Sequence, residues 1–472
     1  MVGVPGRSKA CITCRKRRKG CDLQKPACTQ CQKAGLDCAG YDAPRVFVVS
    51  TPSRRHAGYS VSAAASHTTQ NQLSSSNVTN TNLRLLSRPE DERRCIDVFW
   101  EAYYPSGRPI PVSAWRSYMC AWTETARKLY REDDSLRYAL WANCLLITGR
   151  RHGEEWMLRE GSKVYGKALV DLRRSLGVSH RAKGDALIAT VKLLSMFEAS
   201  SRGHEGQRAD TSQDWQRHHA GELAMFIART PVAHTGGDAH HIFADERVDM
   251  ALSSALRRKQ FVLGTPEWKS VPWKETPKNL KDVLVDVLVD IPGLVVDFDN
   301  MRLCTEASRQ AELRLELVQK CWEDDRQLLS WLNAVCGQNN TNPGVPNPGR
   351  QRDIVTHVAR VHGMVLYWTM CLVLYSILRA ASAPEADLPA RTDPLHHARH
   401  IAEAIPILLE PSAGLYGQQS AALPLEIAIQ YTMDMSPSSS ESQEILGKLK
   451  TLKEELGKVL TGTVNTALPA EG

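Results

Sequence analysis

The sequence predicts an all-α chain in two unequal parts, a small metal-organised N-terminal element and a large helical body. Three observations carry that expectation. Six cysteines fall within 28 residues at regular spacing. Beyond about residue 84, apolar residues recur at helical intervals. No run of strand-like segments separated by turn signals occurs.

The N-terminal element comes first. Of 13 cysteines, Cys11, Cys14, Cys21, Cys28, Cys31 and Cys38 read C-x2-C-x6-C-x6-C-x2-C-x6-C. The pattern is an internal repeat, because adding 17 to the first three positions gives the last three. Each half offers a C-x2-C pair that can grip a metal at the start of a short helix, followed by a third thiolate. Thiolates suit soft, tetrahedral zinc. Two such ions have eight ligand slots, so six cysteines fill them only if two bridge. The repeat requires the bridging pair to sit at equivalent positions, and the spacing leaves open which pair. So short a segment has few apolar groups. Metal binding has to supply its folding energy, roughly 10–16 kcal/mol per structural zinc in small fingers. A reducing compartment argues against a disulfide knot. The absence of a βαβ pattern argues against a redox site.

Charge is as uneven as cysteine. Residues 1–40 hold nine bases and two acids, whereas the other 432 residues carry 50 of each, so the whole +7 excess sits in the N-terminal tenth. Five of those bases are consecutive: Arg15, Lys16, Arg17, Arg18 and Lys19, between Cys14 and Cys21. A free run of this kind would be a solvated face or a nuclear import signal. Here metal ligands pin both ends, which presents the charges on a fixed helical turn. That suits the DNA major groove, where Arg or Lys binds guanine O6 and N7. The remaining bases would neutralise phosphates.

The stretch ACITCRKRRKGCDLQKPACTQCQKAGLDC (residues 10–38) resembles the DNA-binding domain of fungal binuclear zinc-cluster transcription factors. The resemblance implies two structural zinc ions bridged by Cys11 and Cys28. One ion would take Cys11, Cys14, Cys21 and Cys28, the other Cys11, Cys28, Cys31 and Cys38. It also implies a loop proline, matched by Pro26, and base reading of a CGG triplet at Arg17 and Arg18. Arg15, Lys16, Lys19 and Lys25 complete the expected DNA-binding set. Gly20 departs from the pattern, since many members carry a base there, and this removes one expected phosphate contact.

Domain boundaries follow from composition. Residues 1–45 form the zinc-cluster domain. Residues 46–83 read as a flexible linker: Ser, Thr and Asn fill 17 of the 33 positions from 50 to 82. No heptad pattern appears between Tyr41 and Asn82, so a homodimer would have to form elsewhere, and binding as a monomer stays open. Residues 84–472 form the helical body.

Within the body, Leu136–Thr148, Trp156–Leu176, Lys183–Ala199 and Asp214–Arg229 are helix candidates. Asp282–Asp290 reads as a helix with an acidic stripe, because Asp282, Asp286 and Asp290 recur every four residues. The longest apolar run, Gly363–Leu378, is shorter than the roughly 18–20 residues of a membrane span, so a buried helix is expected. Residues 337–349 can only be a loop. At the C-terminus Ile445, Leu449, Leu452, Leu456 and Val459 follow 4-3-4-3 spacing. Two heptads are too few for a coiled coil, so this helix is expected to pack on its own domain. The scattered cysteines Cys95, Cys120, Cys144, Cys304, Cys321, Cys336 and Cys371 read as small buried hydrophobes. The pairs His218-His219, His240-His241 and His396-His397 read as packing residues, not metal ligands. Thr235–Asp238 reads as a turn.

Trp215-x2-His218-x2-Gly221, Arg229-Thr230-Pro231 and Glu267-Trp268…Val271-Pro272-Trp273 resemble, more weakly, the helical regulatory domain of the same factors. That family often has Gly where Thr230 stands. The start of the chain has no apolar run of a secretory signal.

These readings imply a nuclear, sequence-specific, DNA-binding transcription factor of RNA polymerase II genes, with double-stranded DNA and the transcription machinery as partners and no membrane. The layout is compatible with a pathway-specific regulator of a metabolic or secondary-metabolite gene cluster. One rival is an enzyme seated in the helical body. Against it, no nucleophile–base or carboxylate-pair motif stands out, and zinc with four thiolates has no open position. The other rival is a protein-interaction module, which has no need of five successive bases.

Overall fold

The structure, a computed structural model, describes residues 11–17, 19–24, 27–36, 38, 89–107, 121–201, 212–339, 354–383, 385–434 and 439–460. Two compact units hold them, the cysteine-rich segment in one and everything from Pro89 onward in the other. The boundary expected at 46–83 lies outside the described residues. Among those described, regular structure is entirely helical.

The small unit has two five-residue helices, α1 (Ile12–Lys16) and α2 (Thr29–Lys33). Its core is sulfur: Cys11, Cys14, Cys28 and Cys31 are fully buried, with Cys21 and Cys38 packed against them.

The large unit begins with α3 (Pro89–Tyr103), α4 (Trp122–Leu129), α5 (Asp134–His152), α6 (Glu155–Leu176), the single turn α7 (Ser179–Ala182), α8 (Asp185–Ser201) and α9 (Ser212–Arg229). It continues through α10 (Gly237–Leu256), α11 (Pro266–Ser270), α12 (Leu280–Leu288) and α13 (Ile291–Leu303). It closes with α14 (Ala307–Asn339), α15 (Ile354–Ala381), α16 (Pro394–Leu409), α17 (Gly414–Asp434) and α18 (Ser440–Leu460).

Local chemistry sets the ends. Asp133 caps α5 by accepting from the Leu136 N–H at 3.1 Å, and Gly153 ends it at φ +68°. Asn279 and Asp282 form a capping box at α12. Pro394 opens α16 behind an Asp393 cap. Gly414 is required twice over: its φ is +63°, and a Cβ there would lie 2.7 Å from the Tyr103 carbonyl oxygen.

The predicted helices are present, with wider bounds for three and bounds shifted by two residues for Lys183–Ala199 (observed 185–201) and Asp282–Asp290 (observed 280–288). The apolar run lies in α15, which packs against α14, α16 and α17. Its composition would pass for a membrane span, with mean hydropathy 1.7, but 89% of that window is buried inside the bundle. In α18, Ile445, Leu449, Leu452 and Leu456 are buried against α16 and α17, as the spacing predicts.

Four expectations need correction. The loop placed at 337–349 starts later, because α14 runs through Asn339. Only Cys144, Cys321 and Cys371 are buried; Cys95, Cys304 and Cys336 are partly exposed, and Cys120 lies outside the described residues. The acidic stripe does not lie on one helix: α12 ends at Leu288, so Asp290 stands between α12 and α13. Asp286 accepts from Arg247 at 2.9 Å and pairs with Lys278, while Asp290 binds Lys269 at 2.5 Å. The fourth concerns His396 and is taken up below. His218 does pack, with Nε2 2.9 Å from Glu198, and His240 sits edge-on to Trp273.

Candidate metal centre and nucleic-acid interface

The repeat seen in the cysteine spacing is also a repeat in geometry. Cys11 immediately precedes α1, and its Sγ accepts the Cys14 N–H at 3.3 Å. Seventeen residues on, Cys28 caps α2 and accepts the Cys31 N–H at 3.4 Å. Each C-x2-C pair therefore wraps the first turn of a helix, which brings its two sulfurs to one side. Asp22 ties the halves together by accepting from the Thr29 N–H at 3.2 Å, and Thr29, through its side chain first and this N–H second, holds the carboxyl below the usual carboxylate range.

The six sulfurs fall into two overlapping groups of four. Cys11, Cys14, Cys21 and Cys28 form one, and Cys11, Cys28, Cys31 and Cys38 the other, with all sulfurs in a group within 4.8 Å of one another. That separation fits the edges of a thiolate tetrahedron around zinc, whose Zn–S bonds are about 2.3 Å. The donor chemistry fits too. Burial pushes the thiols of Cys14 and Cys31 up, Cys31 to about 12 with the Cys28 and Cys11 sulfurs pushing the same way. Thiols so crowded keep their protons until a cation replaces them.

The model of the fungal Zn(2)-Cys(6) binuclear cluster domain matches residues 9–45. The segment belongs to that domain family. A Zn(2)-Cys(6) domain binds two zinc ions. Three relatives extend the comparison. An uncharacterised protein of Emericella nidulans is 25% identical over 182 residues, 36% of this chain and 37% of its own length. The aspercryptin biosynthesis cluster-specific transcription regulator of the same species is 54% identical over 39 residues, 8% of this chain and 6% of its own. Arginine metabolism regulation protein II of Saccharomyces cerevisiae is 50% identical over 40 residues, 8% and 4% of the two chains. The chain thus spans little more than a third of the first relative and a small fraction of the others. No solved structure matches.

Around the Zn(2)-Cys(6) core, the basic run continues the turn of α1. Arg17 N–H donates to Thr13 O at 3.2 Å, and Lys19 N–H to Cys14 O at 3.0 Å. Lys16, Arg17 and Lys19 are exposed. Arg15 is described by its backbone alone, within α1, and Arg18 and Lys25 lie outside the described residues. Lys33, exposed on the last turn of α2, adds a base that sequence reasoning left out of the DNA-binding set. The repeat could have flagged it, since subtracting 17 from 33 gives Lys16.

Proposed function

We propose that this protein is a nuclear, sequence-specific, DNA-binding transcription factor of RNA polymerase II genes, and not an enzyme. One observation carries the reading: two four-sulfur groups share Cys11 and Cys28, and the exposed bases Lys16, Arg17 and Lys19 follow the first of them. Cys11, Cys14, Cys21, Cys28, Cys31 and Cys38 would hold the two zinc ions, with Cys11 and Cys28 bridging. Thiolates fill every slot, so the zinc is structural. Six thiolates and two dications bring the +7 of residues 1–40 to about +5, still strongly basic.

Arg17 and Arg18 would read a CGG-type triplet in the major groove, with Arg15, Lys16, Lys19 and Lys25 on the backbone. The domains proposed are 1–45 for DNA, 46–83 as linker and 84–472 as regulatory body. The relative named for a biosynthesis cluster supports a pathway-specific role. Fluorescence anisotropy with CGG-containing and scrambled duplexes at physiological salt tests the reading. A clear preference for CGG is expected, and equal affinity would overturn it.

A further inference from the structure

We propose that His396 and His400 form a second metal site, on the helical body, that takes one divalent cation of the zinc, copper or nickel class through their two Nε2 atoms. The site is independent of the cysteines.

Both residues lie on α16, one turn apart, with Nε2 atoms separated by 3.2 Å and rings nearly perpendicular at 87°. Two imidazole nitrogens bound to one tetrahedral zinc at about 2.0–2.1 Å are about 3.3–3.4 Å apart. The two nitrogens therefore stand at chelating distance, and a small ring rotation would aim both lone pairs at one ion.

The surroundings hold it there. The His400 ring stacks on Trp368, centroids 5.0 Å apart and planes 19° from parallel. Its Nδ1 faces Glu403 Oε2 at 3.4 Å. The contact is an ion-pair approach and not a formed hydrogen bond; closing it on metal binding would fix the Nδ1–H tautomer and leave the Nε2 lone pair directed outward, which is how proteins orient metal-binding histidines. The gap to His396 Nε2 then has two possible fillings, an N–H of His396 or a cation. His396 is exposed, so water can complete the coordination sphere. Imidazole donors select this class of cation over magnesium or calcium.

The adjacent His397 takes no part. It is buried, with Nε2 2.8 Å from the Arg391 carbonyl oxygen. The sequence reading of 396-397 as a packing pair thus holds for His397 and is corrected for His396, whose partner lies one helical turn on.

Equilibrium dialysis of the full chain against buffered free zinc, followed by metal analysis, tests the site. Wild type is expected to hold one zinc more than His396→Gln or His400→Gln. The difference decides, so a departure from two ions at the cysteines leaves the test intact. Glu403→Gln should weaken this ion about 10-fold. Equal zinc content in wild type and His396→Gln across the range would overturn the site and leave a plain N–H···N hydrogen bond. A second readout needs no variant. In imidazole 15N spectra of wild type, zinc should shift the Nε2 resonances of His396 and His400 and leave His397 unmoved, and unmoved resonances at all three would equally overturn it.

Discussion

The sulfurs of Cys11 and Cys28 lie 3.6 Å apart, and each belongs to both four-sulfur groups. If they bridge, the six ligands are not equivalent. Cys28→Ala removes a ligand from both ions, whereas Cys38→Ala removes one from a single ion. Metal analysis of extensively dialysed full chain should give about two zinc ions for wild type, near none for Cys28→Ala and about one for Cys38→Ala, as four thiolates per ion require. A single ion in wild type would refute the bridge.

The basic run makes a second, separable prediction. Arg18→Ala should cost about 1–3 kcal/mol at a CGG duplex and erase its advantage over a scrambled one. Lys25→Ala should weaken both duplexes alike and lower the salt slope by about 1. Anisotropy titrations at several salt concentrations distinguish the two. An intact CGG preference in Arg18→Ala would count against base reading there.

Thr230 is strained. Its φ of +67° with ψ of 158° belongs to a region that is almost exclusively glycine's. Arg229 pins the spot by donating from Nε to the Lys183 carbonyl at 3.0 Å and binding Asp185 at 2.6 Å. Thr230→Gly should therefore stabilise the body by about 1 kcal/mol, read as a raised urea midpoint. An unchanged or lower midpoint would remove the strain argument.

The body should also lose stability in mild acid. Burial holds His362 down to about 4, with nearby Asp249 offsetting only part of that cost. The unfolded chain, near 6.5, therefore binds the proton that the native state refuses. Stability from this residue is complete above about pH 6.5 and falls as pH drops toward about 4, by up to about 3 kcal/mol. Its Nδ1 lies 2.9 Å from the Tyr416 hydroxyl. His362→Gln should flatten the slope of unfolding free energy between pH 4 and 6.5; an unaltered slope would assign the acid loss to other groups.

What could be read from the sequence followed how local the signal was. Metal ligation is written in spacing, so Cys11 to Cys38 were legible, whereas their grouping came from the family resemblance, because the spacing left the bridging pair open. So were helices with one wet face, such as α6, and the 4-3-4-3 seam of α18. His400 was missed because adjacent pairs drew attention, although chelation on a helix needs the residue four positions on. The other miss was α10. Asp245-Glu246-Arg247 looks like surface, yet all three are buried. Only the fold shows why: their partners are Lys281, Lys192 and Asp286, far away in sequence.

Those three partners lie on two other helices, Lys192 on α8 and both Lys281 and Asp286 on α12. Turning α10 by one residue would strand three ions at once in apolar surroundings, each costing several kcal/mol. The charges therefore act less on the native packing than on its near misses, whose energies they raise. An apolar replacement of the whole Lys192–Glu246–Asp249 group should unfold no sooner, and yet show broadened amide spectra as α10 samples neighbouring registers. In that sense α10 behaves as a key cut for a single lock, and the body's uniqueness of form rests on what its charges forbid.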